Sequence, residues 1–567
     1  MACGLNLDLS NCTSGGLIKE CNQGEYSIKL LNGGLSGNWY IIIHAPSQLS
    51  NVKLRGITSD AVISDLSSRR GGCVIIPTTA YCYRENDVGP YLISEVNPQL
   101  TIKGNELWVK TSGEGDYCDT LITITSDPKG LINALSKLPK PLPLLYGGFF
   151  EDGLIWALVK AGYVKESELP GFIKPRQAYY WVRGDVANVA LTNWVESSNA
   201  VFLDILVFAY EELLNKMNEY GGVKIPYITA ARAKDIYGSP QQSYVFNTLL
   251  RGFELTGDSR YLKGALKALE CYNVQPPNCL GYIDLGNGLK WFRWGSRHFL
   301  SSDPQGWENL MVLNTHLMAV LSFSEAYIRG LCSECIRDAL SGVEAIVRLS
   351  SEFQRSDGYL YYSLYSKAHM GEGEDDKYPP YRGYSLLSSR LALKSSIYLN
   401  NNELYDIAKR ACLMGYSNVI NGKWSEYEAV ARCLSLLYLK EGCSDLLNKL
   451  MNILRIAYEK GVRVIVNGYG VEDALYAQYQ PAMLIQGNSQ LIYVGPRQGK
   501  LLIAAYSREA SRIKVRGYGS LSGHEVKVRG ISIDYVNGEA NVSNGEVTLK
   551  GEALISIDEN VVKPAMV

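Results

Sequence analysis

One device recurs through the middle of this chain: an apolar helical stretch, a short turn carrying Gly or Asn, then a second helical stretch. It is clearest over residues 241–255 and 259–271, joined by Thr256-Gly257-Asp258. Gly suits the left-handed residue that closes a helix, and Asp suits the N-cap of the next. The same turn returns at Arg329-Gly330, at Asn400-Asn401-Asn402 and at Glu441-Gly442. Hairpins of this kind cannot bury their apolar faces singly, so neighbours must stack. They can stack as an open solenoid or close into an (α/α) toroid. Long aromatic insertions at 274–306 and 352–383 favour the toroid, because a binding solenoid keeps its connections short and regular.

The flanks carry a different period. Runs such as Tyr40-Ile-Ile-Ile-His44, Cys73-Val-Ile-Ile-Pro77 and Thr120-Leu-Ile-Thr-Ile predict strands over residues 1–127. Residues 128–144 form a linker, where Leu138-Pro-Lys-Pro-Leu-Pro-Leu rules out regular structure. The toroid domain is expected over 145–461, beginning with a helix near 200–217, and a C-terminal β-sandwich over 462–567. Asn537-Gly538 and Asn544-Gly545 there are hairpin turns. At 567 residues the chain has room for these units. The expected class is multidomain α+β, a toroid of helical hairpins between two antiparallel β domains.

Several function classes fall on composition. The net charge of −1, without a basic tail or face, argues against nucleic acid as a partner. No apolar run of about 18 residues predicts a transmembrane segment. The N-terminus lacks the features of a secretory signal, which makes the cytoplasm the default compartment. Thirteen cysteines, and the sequons at Asn11 and Asn541, keep a cell-surface or extracellular place open, while the disulfide use of intracellular hyperthermophile proteins makes the same cysteine count compatible with the cytoplasm. Cys332-Ser-Glu-Cys335, without a second pair, reads as a disulfide or buried thiols rather than a zinc site. Phosphate-binding, dinucleotide-binding, zinc-protease and nucleophile-elbow motifs are all absent. No cofactor or metal is expected, and homo-oligomerisation stays open.

What remains is tyrosine, arginine and carboxylate in the connections between hairpins. There are 39 Tyr against 11 Phe, and a tyrosine offers an apolar ring with a polar tip, as sugars and wet interfaces both require. Trp291-Phe-Arg293-Trp294 sets a cation between aromatic faces, as a sugar platform or as a packed loop. Glu308 stands before a helix, as a reacting carboxylate or as a first-turn acid favoured by the helix dipole. His316, inside an apolar helix face, reads as a satisfied core histidine. Asp357-Gly-Tyr-Leu-Tyr361 and Tyr378-Pro-Pro-Tyr381-Arg382-Gly-Tyr384 bracket an acidic loop over 372–376 and lead into a helix expected from 386.

These last two segments, with Gly238-Ser-Pro-Gln-Gln242 and Val312-Leu313-Asn314 ahead of their helices, resemble the C-terminal catalytic domain of D-glucuronyl C5-epimerases over residues 237–404. The resemblance implies that Tyr361 and Tyr381 are the two essential tyrosines. That family's Glu-Tyr pair before the Leu-Asn helix has no counterpart, and Asp303 or Glu308 stands where its carboxylate is needed. C5 epimerisation removes a proton beside a carboxylate and returns one from the opposite face. Tyr361, Tyr381 and Glu308 are the expected proton-transfer groups. Arg382 and Arg293 are the expected carboxylate clamps, with Trp291, Trp294, Tyr384, Asn314 and Gln242 lining the substrate. An acidic polysaccharide or oligosaccharide is the expected partner. A uronate lyase needs almost the same residues. A glycoside hydrolase needs two carboxylates, and a non-catalytic glycan-binding protein needs neither set.

Overall fold

The computed structural model describes residues 12–127 with short gaps, then 201–228, 233–296, 311–364, 379–466 and, with further gaps, 482–558. The chain divides into two compact units, Met1–Met217 with Val223–Ile236, and Asn218–Gly222 with Tyr237–Val567. The Pro-rich stretch at 128–144 lies outside the described residues.

In the first unit, β1 (Cys12–Gly15), β2 (Ile18–Asn22), β3 (Ser27–Asn32) and β4 (Trp39–Pro46) run as an antiparallel meander, and β4 pairs with β5 (Tyr117–Thr125). Alternation puts Leu30, Ile41, Ile43, Ile122 and Ile124 on one face, where Val52, Leu54, Leu107 and Val109 of a three-stranded sheet share the core. The cross-strand pairs Cys12–Cys21 and Cys82–Cys118 are disulfides. Helix α1 (Val201–Lys216) belongs to this unit, not to the helical domain in which its sequence position put it. The reason is polar as well as apolar. Lys29 Nζ is 3.0 Å from the buried Glu212 carboxylate, and Tyr40 Oη donates to the buried Asp204 at 2.8 Å.

Among its described residues the second unit contains four helical hairpins: α2 (Ser239–Thr256) with α3 (Ser259–Glu270), α4 (Leu313–Ile328) with α5 (Cys335–Arg348), α6 (Pro379–Leu399) with α7 (Asn402–Ile420), and α8 (Tyr427–Glu441) with α9 (Ser444–Glu459). Their turns follow the expected chemistry. Gly257 sits at φ 72°, its N–H bonded to Phe253 O, and Asp258 accepts from the Arg260 N–H. Asn401 caps α7 through the Leu404 N–H. The first helices α2, α4, α6 and α8 pack in series. They run parallel. Ser239 Oγ at the start of α2 donates to Thr315 O at the start of α4, and Arg329 past the end of α4 pairs with Glu254 near the end of α2. Lys440 near the end of α8 donates to Asn400, just past the end of α6. The tight turns therefore share one end of the row, and the long connections share the other. Helix α6 begins at Pro379, earlier than expected, because proline is well tolerated in the first turn of a helix.

Between α3 and α4 lies a small hairpin, β6 (Tyr282–Asp284) with β7 (Lys290–Phe292). After α9, strands β8 (Gln490–Arg497), β9 (Lys500–Gly517), β10 (Ile531–Ser543) and β11 (Glu546–Asp558) form most of a seven-stranded sheet in the order β8-β9-β11-β10. Among the described residues this is one sheet rather than two. Helices α8 and α9 pack against β8 and β9, while Leu491, Leu501, Ile503, Ile513, Val547, Leu549, Ile555 and Ile557 form a core drawn from the strands themselves. Three more disulfides staple the unit: Cys271–Cys279, Cys332–Cys335 and Cys412–Cys433, the last joining α7 to α8. Among the described residues no helix is long and apolar enough to cross a membrane.

Candidate functional site

The long connections are tied onto the N-termini of the parallel helices. The Ser239 N–H donates to Trp294 O at 2.9 Å, which pins the end of the β6–β7 hairpin to the start of α2. Leu313 N–H donates to Tyr362 O at 3.0 Å, which pins the 354–364 connection to the start of α4. Leu360 N–H donates to Ser385 Oγ at 3.0 Å, which fixes the same connection to α6. Tyr272 anchors the back of this end: its buried hydroxyl donates to Ser239 O at 2.8 Å, and burial pushes its pKa up to about 12. The result is one end of the row, where two connections meet the N-termini of three helices.

The residues expected to form the site are distributed unevenly over it. Asn314 lies in the first turn of α4, 4% exposed, and its Oδ1 accepts no hydrogen bond. Tyr361 is 3% exposed, with the Arg355 guanidinium 5.5 Å from its ring centre. Arg355 is held there by Asp357, Nε to Oδ1 at 3.1 Å and Nη2 to Oδ2 at 3.0 Å. Tyr384, 36% exposed, has its ring centre 4.9 Å from that of Tyr362. Arg293 and Trp294 are half-buried beside the start of α2. Tyr381 and Arg382 fall in the first turn of α6, with side chains outside the described residues. Glu308 and the acidic loop 372–376 also lie outside them.

Two expected lining residues have their polar or aromatic surfaces taken by the protein. The Gln242 amide, fully buried, donates to Gly221 O at 3.0 Å and Ala268 O at 3.3 Å. Trp291 is fully buried, stacked on His316 at 4.0 Å and on Phe353 at 5.2 Å. It takes the packed-loop alternative, because neither face of the indole is left for a sugar. Its Nε1–H, however, finds no acceptor. His316 is satisfied on both nitrogens: Nδ1 accepts from Phe292 N–H at 2.9 Å, which leaves Nε2–H to donate to Gly342 O at 3.0 Å. Burial lowers its pKa to about 4, against the raising effect of the Gly342 bond.

Sequence reasoning did not single out Arg355, Tyr359 or Trp424. Tyr359 and Trp424 stack with ring centres 4.4 Å apart, and Asn418 donates to the Tyr359 hydroxyl. The available signal for Trp424 was its place in Asn421-Gly-Lys-Trp424, another helix-to-helix connection on the same end as the tyrosines. Among the described residues no group of three or more His, Cys, Asp or Glu is arranged to hold a metal ion.

No family model and no curated protein matches this chain. Solved structures match it distantly. Cellobiose 2-epimerase from Bacillus thermoamylovorans B4167 is 11% identical over 50% of this chain and 76% of that one, with a TM-score of 0.37. Unsaturated glucuronyl hydrolase from Bacillus sp. GL1, which degrades glycosaminoglycan, is 12% identical over 46% and 74%, with a TM-score of 0.30. A family 76 glycoside hydrolase from a bovine Bacteroides thetaiotaomicron strain is 11% identical over 77% and 95%, with a TM-score of 0.35. Likeness of this degree leaves function to be argued from the chain's own residues.

Proposed function

We propose that this protein is an enzyme acting on a glycan, and that its reaction is epimerisation at C5 of uronic acid residues, glucuronate to iduronate type. The observation that carries the glycan reading is the Asn314 carbonyl, buried at the meeting point of the connections with nothing donating to it. A buried acceptor left unpaired costs roughly 1–3 kcal/mol, so a ligand donor there gains what the fold forgoes. Sugar hydroxyls are such donors. The partly exposed rings of Trp294, Tyr362 and Tyr384 add apolar faces of the kind that sugars stack on.

The C5 step requires proton-transfer groups on both sides of the ring and a cation for the enediolate-like charge. Tyr361 and Tyr381 take the first role, with Glu308 as third group or orienter. Arg293 and Arg382 hold the substrate carboxylate, for which a guanidinium fork is suited. No cofactor enters this scheme.

The test is proton–deuterium exchange at C5 of glucuronate-containing polysaccharides in heavy water, read by NMR. The wild type should exchange, and Tyr361→Phe and Tyr381→Phe should each lose exchange while remaining folded. Appearance of an unsaturated, ultraviolet-absorbing uronate would reassign the enzyme as a lyase. Absence of exchange on every uronate polymer tried would remove the C5 reading altogether.

A further inference from the structure

The Tyr359–Trp424 stack stands one helix along the row from the candidate site. Tyr359 lies in the connection that carries Tyr361, whereas Trp424 lies in the 421–426 connection that leads into α8. Adjacent helices in such packing are ~8–10 Å apart, so the step from α6, which carries Tyr384, to the start of α8, which Trp424 precedes, is one that an oligosaccharide rather than a single sugar spans. The stack is built rather than incidental. Tyr359 is buried and backs the indole at 23° to its plane, while Asn418 on α7 holds the Tyr359 hydroxyl. Gly358, at φ 89°, brings this connection down onto Met414 of α7. The indole keeps part of its surface in solvent, and the preceding residue, Lys423, is exposed. A rigidly backed, partly exposed tryptophan beside a cation is suited to the apolar face of a sugar in an acidic chain.

We infer that Trp424, backed by Tyr359 and flanked by Lys423, is a subsite for a further sugar unit of an acidic glycan chain, so that the protein selects an oligomer over a single unit. The inference rests on the glycan reading of the site but not on C5 chemistry. The reaction centre sits at α4 and α6, and Trp424 acts on chain binding, not on proton transfer.

The experiment compares affinities of the full-length protein for a panel of uronate-containing hexasaccharides and the matching disaccharides, by calorimetric titration. Wild type should bind its preferred hexasaccharide at least about tenfold more tightly than the disaccharide. Trp424→Ala should lose about tenfold on the hexasaccharide and nothing on the disaccharide, whereas Trp424→Phe, which keeps a ring, should stay within about threefold of wild type. Unchanged circular dichroism and melting temperature in Trp424→Ala exclude unfolding as the cause. Equal hexasaccharide binding by wild type and Trp424→Ala would overturn the subsite, even where C5 exchange is seen. Trp424→Phe as weak as Trp424→Ala would overturn the stacking role. Loss confined to the hexasaccharide, with no C5 exchange on any polymer, would keep the subsite and remove the epimerase reading. No binding of any hexasaccharide by wild type would overturn both.

Discussion

At the scale of single residues, two neighbours on α4 make opposite contributions. Asn314 leaves a buried acceptor unpaired, and His316 pairs both of its nitrogens. Replacing the orphan amide by an apolar side chain removes a desolvation cost without breaking a bond. Asn314→Leu should therefore melt at or above the wild-type temperature while its KM for the glycan rises roughly tenfold, the worth of one good hydrogen bond. A variant that melts lower with KM unchanged would give the amide a purely structural role. His316 is held neutral, its pKa lowered to about 4 by burial, against 6.5 in the unfolded chain. The unfolded state thus takes up its proton first as pH falls. The stability this side chain contributes is complete above pH 6.5 and is lost progressively between 6.5 and 4, by about 3 kcal/mol in all. His316→Gln should be less stable at pH 7, and the gap to wild type should narrow across that window in denaturant titrations. A gap independent of pH would mean that the imidazole takes up its proton alike in the folded and the unfolded chain.

At the scale of elements, the tight-turn end of the helix row is closed by charge. Arg329, at the end of α4, pairs with Glu325 on its own helix and with Glu254 on α2, all three side chains being at least nine-tenths buried. Burial pushes Glu325 up, and Arg329 acts against that shift. Removing the cation leaves two carboxylates in a dry place, which for buried pairs costs ~3–5 kcal/mol. Arg329→Met should lose about that much at neutral pH, and part of the loss should return as pH falls into the carboxylate range, where the stranded acids become neutral. Denaturant midpoints at pH 7 and pH 5 read both effects. The hairpins themselves were legible because their signals are local: Gly257 and Gly442 end helices in the left-handed region, and Asp258 and Asn401 cap the next. The placement of α1 was not. Its partners Lys29 and Tyr40 lie more than 160 residues away, at separations of 183 and 164, and periodicity reports only which face of a helix is apolar, not what covers it. For the same reason Trp291 reads equally as platform or packing until Phe353 and His316 are seen on its two faces.

At the scale of the whole molecule, the chain enters the helical unit twice. Asn218–Gly222 belongs to it, the chain then returns to the first unit for Val223–Ile236, and re-enters at Tyr237. The first entry is a strap with few residues and many bonds. Asn218 Nδ2 donates to Tyr237 Oη at 2.8 Å and to Asn278 O at 2.9 Å, its Oδ1 accepts from the Tyr220 and Gly222 N–H groups, and Gly221 O receives the Gln242 amide. Gly221 makes this approach feasible. It sits at φ 83°, and a Cβ there would lie 1.8 Å from Lys267 O on α3. Gly221→Ala must therefore lift the strap off α3 or strain both, at a cost of roughly 2–4 kcal/mol. It also strands the buried Gln242 amide, whose donors are committed to Gly221 O and Ala268 O. Because strap and α3 lie in the same unit, the loss should be local to that unit. Hydrogen exchange on the full-length variant should show the amides of α2 and α3 opening faster than in wild type, with those of β3 and β4 unchanged. Equal acceleration in the N-terminal sheet would mean that the two units open as one, and that the strap is a seam through a single cooperative body.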